Sequence, residues 1–450
     1  MGAILGLLDT EDLADSRFKS IRRQVFYFYP NGSSPLVGLL SLLQEEQTND
    51  PEFSWFEKRL AKQTAKTEVN GTTSGFWYAD SSGSLGAALG TSAANKVAGT
   101  VYWIRVDENE PFRNNHILEI RDVTVTGGTA TIFLKVLGNT ESSGNDFVRV
   151  TPIKTLPAVT NAHTNNANLQ VMVIGSAYQQ GAVGSSESIY HLPKDPSNAC
   201  QIFRNSVTMT GTALKTSVKY DESGAYEDKA TEASIDHMRE MEFAFLFGEY
   251  SKTVVDDLPQ FTTRGVLSYL KDWEAGTTYG NEGASTNADD EKRILDFSSE
   301  TPDINDMMEF WERLFRVTNN VTDEKLVLCG NGYLLRLQEL LNNQTQIQRG
   351  VRGETEFGMR YFTVEVPTGV LHYKTHPLFN HNPVLRNNAM HLDVLNLRYR
   401  FVEGRDTELL KNREPNDADF KRDEWLTESG LEMRFPESAM YHMNLLNVGV

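Results

Sequence analysis

Three histidines near the C-terminus, His372, His376 and His381, are the side chains best suited by type to hold a metal. On a helix, His372 and His376 would share a face four residues apart and could bind zinc. Pro377 and Pro383 are expected to forbid a helix there, so the spacing loses its geometry and exposed strand and loop histidines are expected. Gly330-Asn331-Gly332 follows a strand-like run, where a phosphate loop would stand. Position 335 is Leu rather than a third glycine and no G-K-[ST] occurs, so a tight turn is the better reading. Asp289-Asp290-Glu291 lacks the ligand spacing of a calcium loop. No G-x-S-x-G is present. Cys200 and Cys329 belong to no C-x-x-C pair, so two buried thiols are expected, with a single disulfide left open. No catalytic residue, cofactor or metal is assigned, and the chain does not read as an enzyme.

The 450 residues carry 43 Lys and Arg against 61 Asp and Glu, a net charge of −18. Such a surface repels phosphate backbones, which argues against tight nucleic-acid binding. Basic and aromatic residues between Arg17 and Phe28 are offset by Asp9, Glu11, Asp12 and Asp15, so this stretch reads as an arm that packs on protein. The apolar start ends at Asp9, too short for a membrane span or signal peptide, and synthesis in a cytoplasm is expected.

The elements that position these residues read in order along the chain. Residues 1–75 suggest an irregular arm with two short amphipathic helices. One is marked by Leu36, Leu39, Leu40 and Leu43, the other by Phe53, Phe56 and Leu60. Residues 76–170 are rich in Thr, Val and Gly, and strands are expected at 101–106, 116–127 and 129–138, with a hairpin at Gly127-Gly128. Strands at 169–178 and 201–213 flank a polar stretch that looks unfit for a core. Deleting 180–199 is therefore expected to spare the fold. Residues 225–250 carry the longest helical signal, with Ile235, Met238, Met241 and Phe245 on one face and Gly248 at its end. About 25 residues would make a rod of roughly 37 Å, and its stripe needs a sheet or another chain to cover it. A loop at 273–295 precedes two helices around 302–342. Strands return at 359–377, 389–402 and 430–446, with a charged loop between the last two.

The order of these parts resembles the major capsid proteins of tailed bacteriophages with the Hong Kong 97-type fold. VIGSAYQQGA followed by ACQIFRNSVTMTGTALKT resembles the two strands of that family's extended loop. ATEASIDHMREMEFAFLFGEYSK resembles its spine helix. FGMRYFTVEV, GVLHYKTHPLF, AMHLDVLNLRYRFV and ESGLEMRFPESAMYHMNL resemble its closing strands. The resemblance implies an α+β capsid fold divided into an arm (1–75), a β-rich insertion (76–170), extended-loop strands (171–220), a spine helix with peripheral domain (221–300), an axial domain (301–358) and closing strands (359–450).

It implies further that the chain forms hexamers and pentamers of an icosahedral shell around double-stranded DNA, in a virion made in a bacterial cytoplasm. Portal and scaffolding proteins, with a decoration protein as a further candidate, would be its partners. So short an arm suggests no cleaved scaffolding segment. Contact with the enclosed DNA would be weak and nonspecific, and no membrane is involved. Gln179, Gln180, Arg204, Met238, Met241 and Phe245 are the expected contacts between subunits. The runner-up is the shell of a cellular nanocompartment with the same fold. A metalloenzyme built on the three histidines and a glycan-binding β module at 75–170 are more distant readings.

Overall fold

The computed structural model describes residues 36, 38, 45–58, 63–68, 76–80, 85–88, 94–125, 127–159, 168–181, 193–215, 225–275, 292–299, 302–316, 323–342, 353–354 and 360–446. The basic-aromatic stretch 17–28, most of the first expected arm helix, the polar tip 182–192 and the acidic triplet 289–291 lie outside the described residues. The chain divides into two compact units, residues 58–194 and the remainder.

The larger unit is α+β. Its first sheet runs in the order Glu45–Thr48, Leu397–Val402, Phe420–Met433, Gln201–Thr210, with Glu408–Leu410 also paired to Phe420–Met433. Alternation on these strands sends Phe203, Val207, Tyr399 and Leu431 to one face. The long helix Ala225–Phe247 lies across that face. A second sheet of seven strands runs Ile294–Asp296, Met440–Met443, Ala389–Leu392, Glu324–Cys329, Gly369–Thr375, Arg360–Val366, Gly353–Glu354. Leu328, Met390, Leu392 and Tyr441 on one side of it join the core under the long helix. Val327, Cys329, Ala389 and Met440 on the other side pack against helices Ile304–Arg316 and Asn331–Asn342. One sheet buried on both faces thus ties two cores together, and its strands read as apolar runs for that reason.

The smaller unit is all β among its described residues. Thr64–Lys66, Gln170–Ser176, His116–Val125, Gly128–Ser142, Asn145–Pro152 and Tyr102–Val106 pair in that order. The ends then meet. Glu68 N–H donates to Arg105 C=O at 3.0 Å, Asp107 N–H donates to Lys66 C=O at 3.0 Å, and Thr67 bridges Val106. The six strands therefore close into a barrel, which removes the exposed edges that an open sheet would carry. Leu118, Ile120, Ile132, Leu134, Val136, Val148, Val150 and Val171 fill its interior.

Several sequence expectations need correction. The second arm helix expected around Phe53 is not formed over the described residues 51–58: Glu52–Ser54 is a strand paired with Ser197–Ala199. Phe53 and Trp55 are buried while Phe56 is 77% exposed, which is period two and not 3.6. The two strands expected to form one extended hairpin do not pair. Gln170–Ser176 closes the barrel, whereas Gln201–Thr210 belongs to the first sheet of the other unit. The insertion thus runs over 58–194 rather than 76–170, leaving and returning through two paired strands.

The polar stretch 180–199 is not dispensable at its end. Asn198 is buried, and its Nδ2 donates to Leu431 C=O at 2.7 Å while its Oδ1 accepts from the N–H of Ala199 and of Arg264, each at 2.8 Å. The charged loop after residue 402 hides the first half of the central strand Phe420–Met433. Pro377 does not forbid a helix either. It opens the short helix Pro377–His381 at a first-turn position, where a missing N–H costs nothing.

Candidate assembly surface

On the central strand Phe420–Met433, residues of odd number face the long helix. Trp425 Nε1–H donates to Ala230 C=O at 3.4 Å, and Thr427 Oγ1 pairs with His237 Nε2 at 2.7 Å. Residues of even number face the other way, so Glu424, Glu428 and Glu432 form a row. Each carboxylate is largely buried, and each meets arginine. Arg204 donates to Glu424 with both Nε (2.7 Å) and Nη2 (2.8 Å), a bidentate pair. Arg405 pairs with Glu428, while Arg400 (2.5 Å) and Arg434 (2.7 Å) pair with Glu432. Beside them, Glu46 on the neighbouring edge strand takes Arg398 and Arg400, each at 2.9 Å.

The hydrogen bond from Arg204 holds the Glu424 carboxyl below its ordinary range against the opposing effect of burial. The Arg204 side chain is 56% exposed and that of Glu424 only 5%. Arg405 and Arg434 are likewise more exposed than Glu428 and Glu432, so over this row the outer layer is guanidinium, although the whole chain is strongly acidic. Sequence reading missed this face because a run of Asp, Glu, Lys and Arg looks like a solvated loop. The signal that could have found it is the four-residue spacing of Glu424, Glu428 and Glu432, interleaved with Trp425, Leu426, Leu431 and Met433.

The structure separates the six expected contact residues. Met238, Met241 and Phe245 are 2%, 0% and 0% exposed, inside the core between the long helix and the first sheet. The Phe245 ring stands edge-on to Phe203 at 6.4 Å and to Tyr399 at 5.9 Å. These three residues are covered by their own chain and are not subunit contacts. The stripe read from the sequence is real, but its partner is the chain's own sheet. Arg204 is exposed yet bound to Glu424. Gln179 and Gln180 lie just after Gln170–Ser176, in a run exposed from Ile174 to Gly181.

The histidines do not gather. His372 sits on the strand Gly369–Thr375 beside Thr363 at 3.3 Å, and His381 ends the short helix. His376 is buried rather than exposed: its Nε2 pairs with Glu242 Oε1 at 2.9 Å, and the same oxygen accepts from Leu36 N–H at 2.9 Å. Among the described residues, no group of three or more His, Cys, Asp or Glu is placed to hold a metal ion. The turn at Gly330 and Gly332 is filled by the chain itself. A Cβ on Gly330 would stand 2.1 Å from Arg386 C=O, and one on Gly332 2.1 Å from Asn387 Oδ1. Cys200 and Cys329 are free and buried, and burial raises each thiol to about 12. No helix among the described residues is long and apolar enough to cross a membrane.

Comparison with known proteins adds a family. The family described as SU10 major capsid protein matches residues 10–445. The chain is similar to a major capsid protein of Pseudomonas phage PaMx41, with 26% identity over 253 residues. That alignment takes in 54% of this chain and 54% of the relative, so the chain spans about half the length of the curated relative it matches. Among solved structures, the capsid asymmetric unit of cyanophage A-1(L) shares 12% identity and a TM-score of 0.40, covering 61% of this chain and 85% of that one. The holo-SrpI encapsulin complex from Synechococcus elongatus PCC 7942 shares 9% identity and a TM-score of 0.35, over 59% and 80%. Both structural likenesses are slight.

Proposed function

The chain belongs to the SU10 major capsid protein family, and from that premise we infer that it is the repeating subunit of an icosahedral phage head. The observation that carries this reading is the length of the family match, residues 10–445, which takes in both compact units. In this reading the first sheet with the long helix is the peripheral domain, and the seven-stranded sheet with its two helices is the axial domain. Hexamers and pentamers of such subunits close around double-stranded DNA. The inferred partners are a portal, a scaffolding protein and a decoration protein, and the chain is made in the host cytoplasm. Its role is structural.

Physical supports for this reading lie on the surface. The long helix is satisfied within its own chain, so contacts between copies fall on what the fold leaves uncovered. Three such features are the guanidinium-surfaced sheet face, the exposed run 174–181 with Gln179 and Gln180, and the two-stranded ribbon of Ser251–Val255 and Leu258–Thr262. Charge is divided unevenly. Residues 58–194 hold 12 Lys and Arg against 10 Asp and Glu, a net of +2, which leaves −20 on the rest of the chain. A nearly neutral unit and a strongly acidic one in the same chain suit contact between unlike surfaces of like copies.

The runner-up, a nanocompartment shell, would use the same surfaces, and the family match favours the phage reading. Gradient sedimentation of the expressed chain, alone and with a scaffolding protein, tests assembly. Particles from infected cells carrying a nuclease-protected genome support a phage head, and particles carrying a packaged enzyme in its place would support the runner-up.

A further inference from the structure

The long helix ends where Gly248 N–H bonds to Ala244 C=O, and the chain then turns into a two-stranded ribbon. Ser251–Val255 pairs with Leu258–Thr262, and among the described residues no third strand joins this sheet. The base of the ribbon is fixed. Lys252 Nζ pairs with Glu52 at 2.7 Å, Thr262 Oγ1–H donates to Glu249 C=O at 2.7 Å, and Gly265 N–H donates to Gly248 C=O at 2.9 Å. The tip is a tight turn with Asp256 at φ 52° and Asp257 at φ 62°, the left-handed pair that a two-residue hairpin uses.

Between base and tip the ribbon is bare. Val254, Val255 and Leu258 are 70%, 51% and 69% exposed. Register puts Val254 on one face and Val255 with Leu258 on the other. A free two-stranded ribbon is marginal in water. One that shows apolar side chains on both faces and is anchored, among the described residues, at its base is built to be covered.

We propose that this ribbon is an assembly finger that docks on a second copy of the chain, with its Asp256-Asp257 tip against that copy's guanidinium-surfaced sheet face. The occupant follows from composition and charge. On that face the arginines at 204, 398, 400, 405, 413 and 434 pair with four glutamates, a local surplus of two positive charges. The tip brings two negative charges. Ile202, 50% exposed on the same face beside Arg204, offers apolar surface to the flanks of the finger. Finger and receptor lie on one polypeptide at different places, so the contact is head-to-tail and repeats from copy to copy around a ring.

The inference rests on the shell reading and is tested apart from it. V254S/V255S/L258S alters exposed positions only, and its thermal midpoint should match the wild-type chain. Its assembly should need at least about tenfold more subunit, as expected when roughly 1.4 kcal/mol or more of contact is lost. In a second variant, I202C/D257C, oxidation with copper phenanthroline should give a ladder of disulfide-linked chains from assembled particles and none from dissociated subunits. The two native cysteines are buried and supply no background. Assembly of the triple-serine variant at wild-type concentration, or no ladder from particles, overturns the proposal and leaves the shell reading standing. Failure of the wild-type chain itself to form particles overturns both.

Discussion

Replacing Phe245 by Ala distinguishes a core residue from a subunit contact. The side chain is fully buried, and two aromatic rings meet it edge-on at 6.4 and 5.9 Å. Truncation removes the transfer free energy of a whole ring and leaves a cavity walled by Phe203, Tyr399 and the helix, so about 3–5 kcal/mol of subunit stability is at stake. The unit concerned holds residues 1–57 and 195–450, roughly 300 residues. At about 2.1 cal/mol/K of unfolding entropy per residue, a loss of that size lowers the midpoint by about 5–8 °C. Near-UV circular dichroism of dissociated subunits reads the shift, since Trp55, Trp273 and Trp425 lie in that unit. A midpoint within about 1 °C of wild type, together with lost assembly, would refute the reasoning and return Phe245 to the subunit interface.

The buried hydrogen-bond hub at Asn198 should behave similarly. Asn198→Ala strands the N–H of Ala199 and of Arg264, so a loss of about 2–4 kcal/mol is expected in the same melt. A change under about 0.5 kcal/mol would contradict the hub. Excising 58–194 and joining Glu57 to Asp195 with a short Gly-Ser linker should leave the larger unit folded, because the insertion leaves through paired strands. Loss of cooperative unfolding in the excised protein would contradict that.

Acid should weaken the core between the seven-stranded sheet and its two helices. The His391 and His442 rings lie 4.3 Å apart, tilted by 54°, and burial lowers His391 to about 3 and His442 well below its ordinary value. Both fold as neutral rings, so their contribution is fully present above about pH 6.5 and is lost as pH falls toward 3. The slope is up to about 1.4 kcal/mol per pH unit for each ring. His391→Phe should flatten that acid limb, and an unchanged limb would count against it.

Much of the fold was legible because its elements obey simple periods. Strands His116–Val125 and Gly128–Ser142 alternate, and the turn between them carries glycine at 127 and 128. The long helix shows its stripe at Met238, Met241 and Phe245 and stops before Gly248, where a Cβ would meet Ala244 C=O at 2.4 Å. What covers such a stripe is not a local property. The sheet under the helix is assembled from strands near residues 45, 200, 400 and 425, and the most informative of these was disguised by charge. A buried Glu is expected only when its partner is known, and Arg204 lies 220 residues from Glu424. The barrel was half visible for a similar reason. Its strands were plain, but its closure depends on Thr64–Lys66 meeting both Gln170–Ser176 and Tyr102–Val106. Phe53, Phe56 and Leu60 matched a helical spacing by chance, and only the pairing with Ser197–Ala199 decided between periods.

Cryo-electron microscopy of the purified 450-residue chain tests the central claim most directly. The account predicts closed particles of icosahedral symmetry in whose density the long helix lies on its own subunit's sheet. A protein that stays monomeric at high concentration, with a co-expressed scaffolding protein as well as alone, would contradict it.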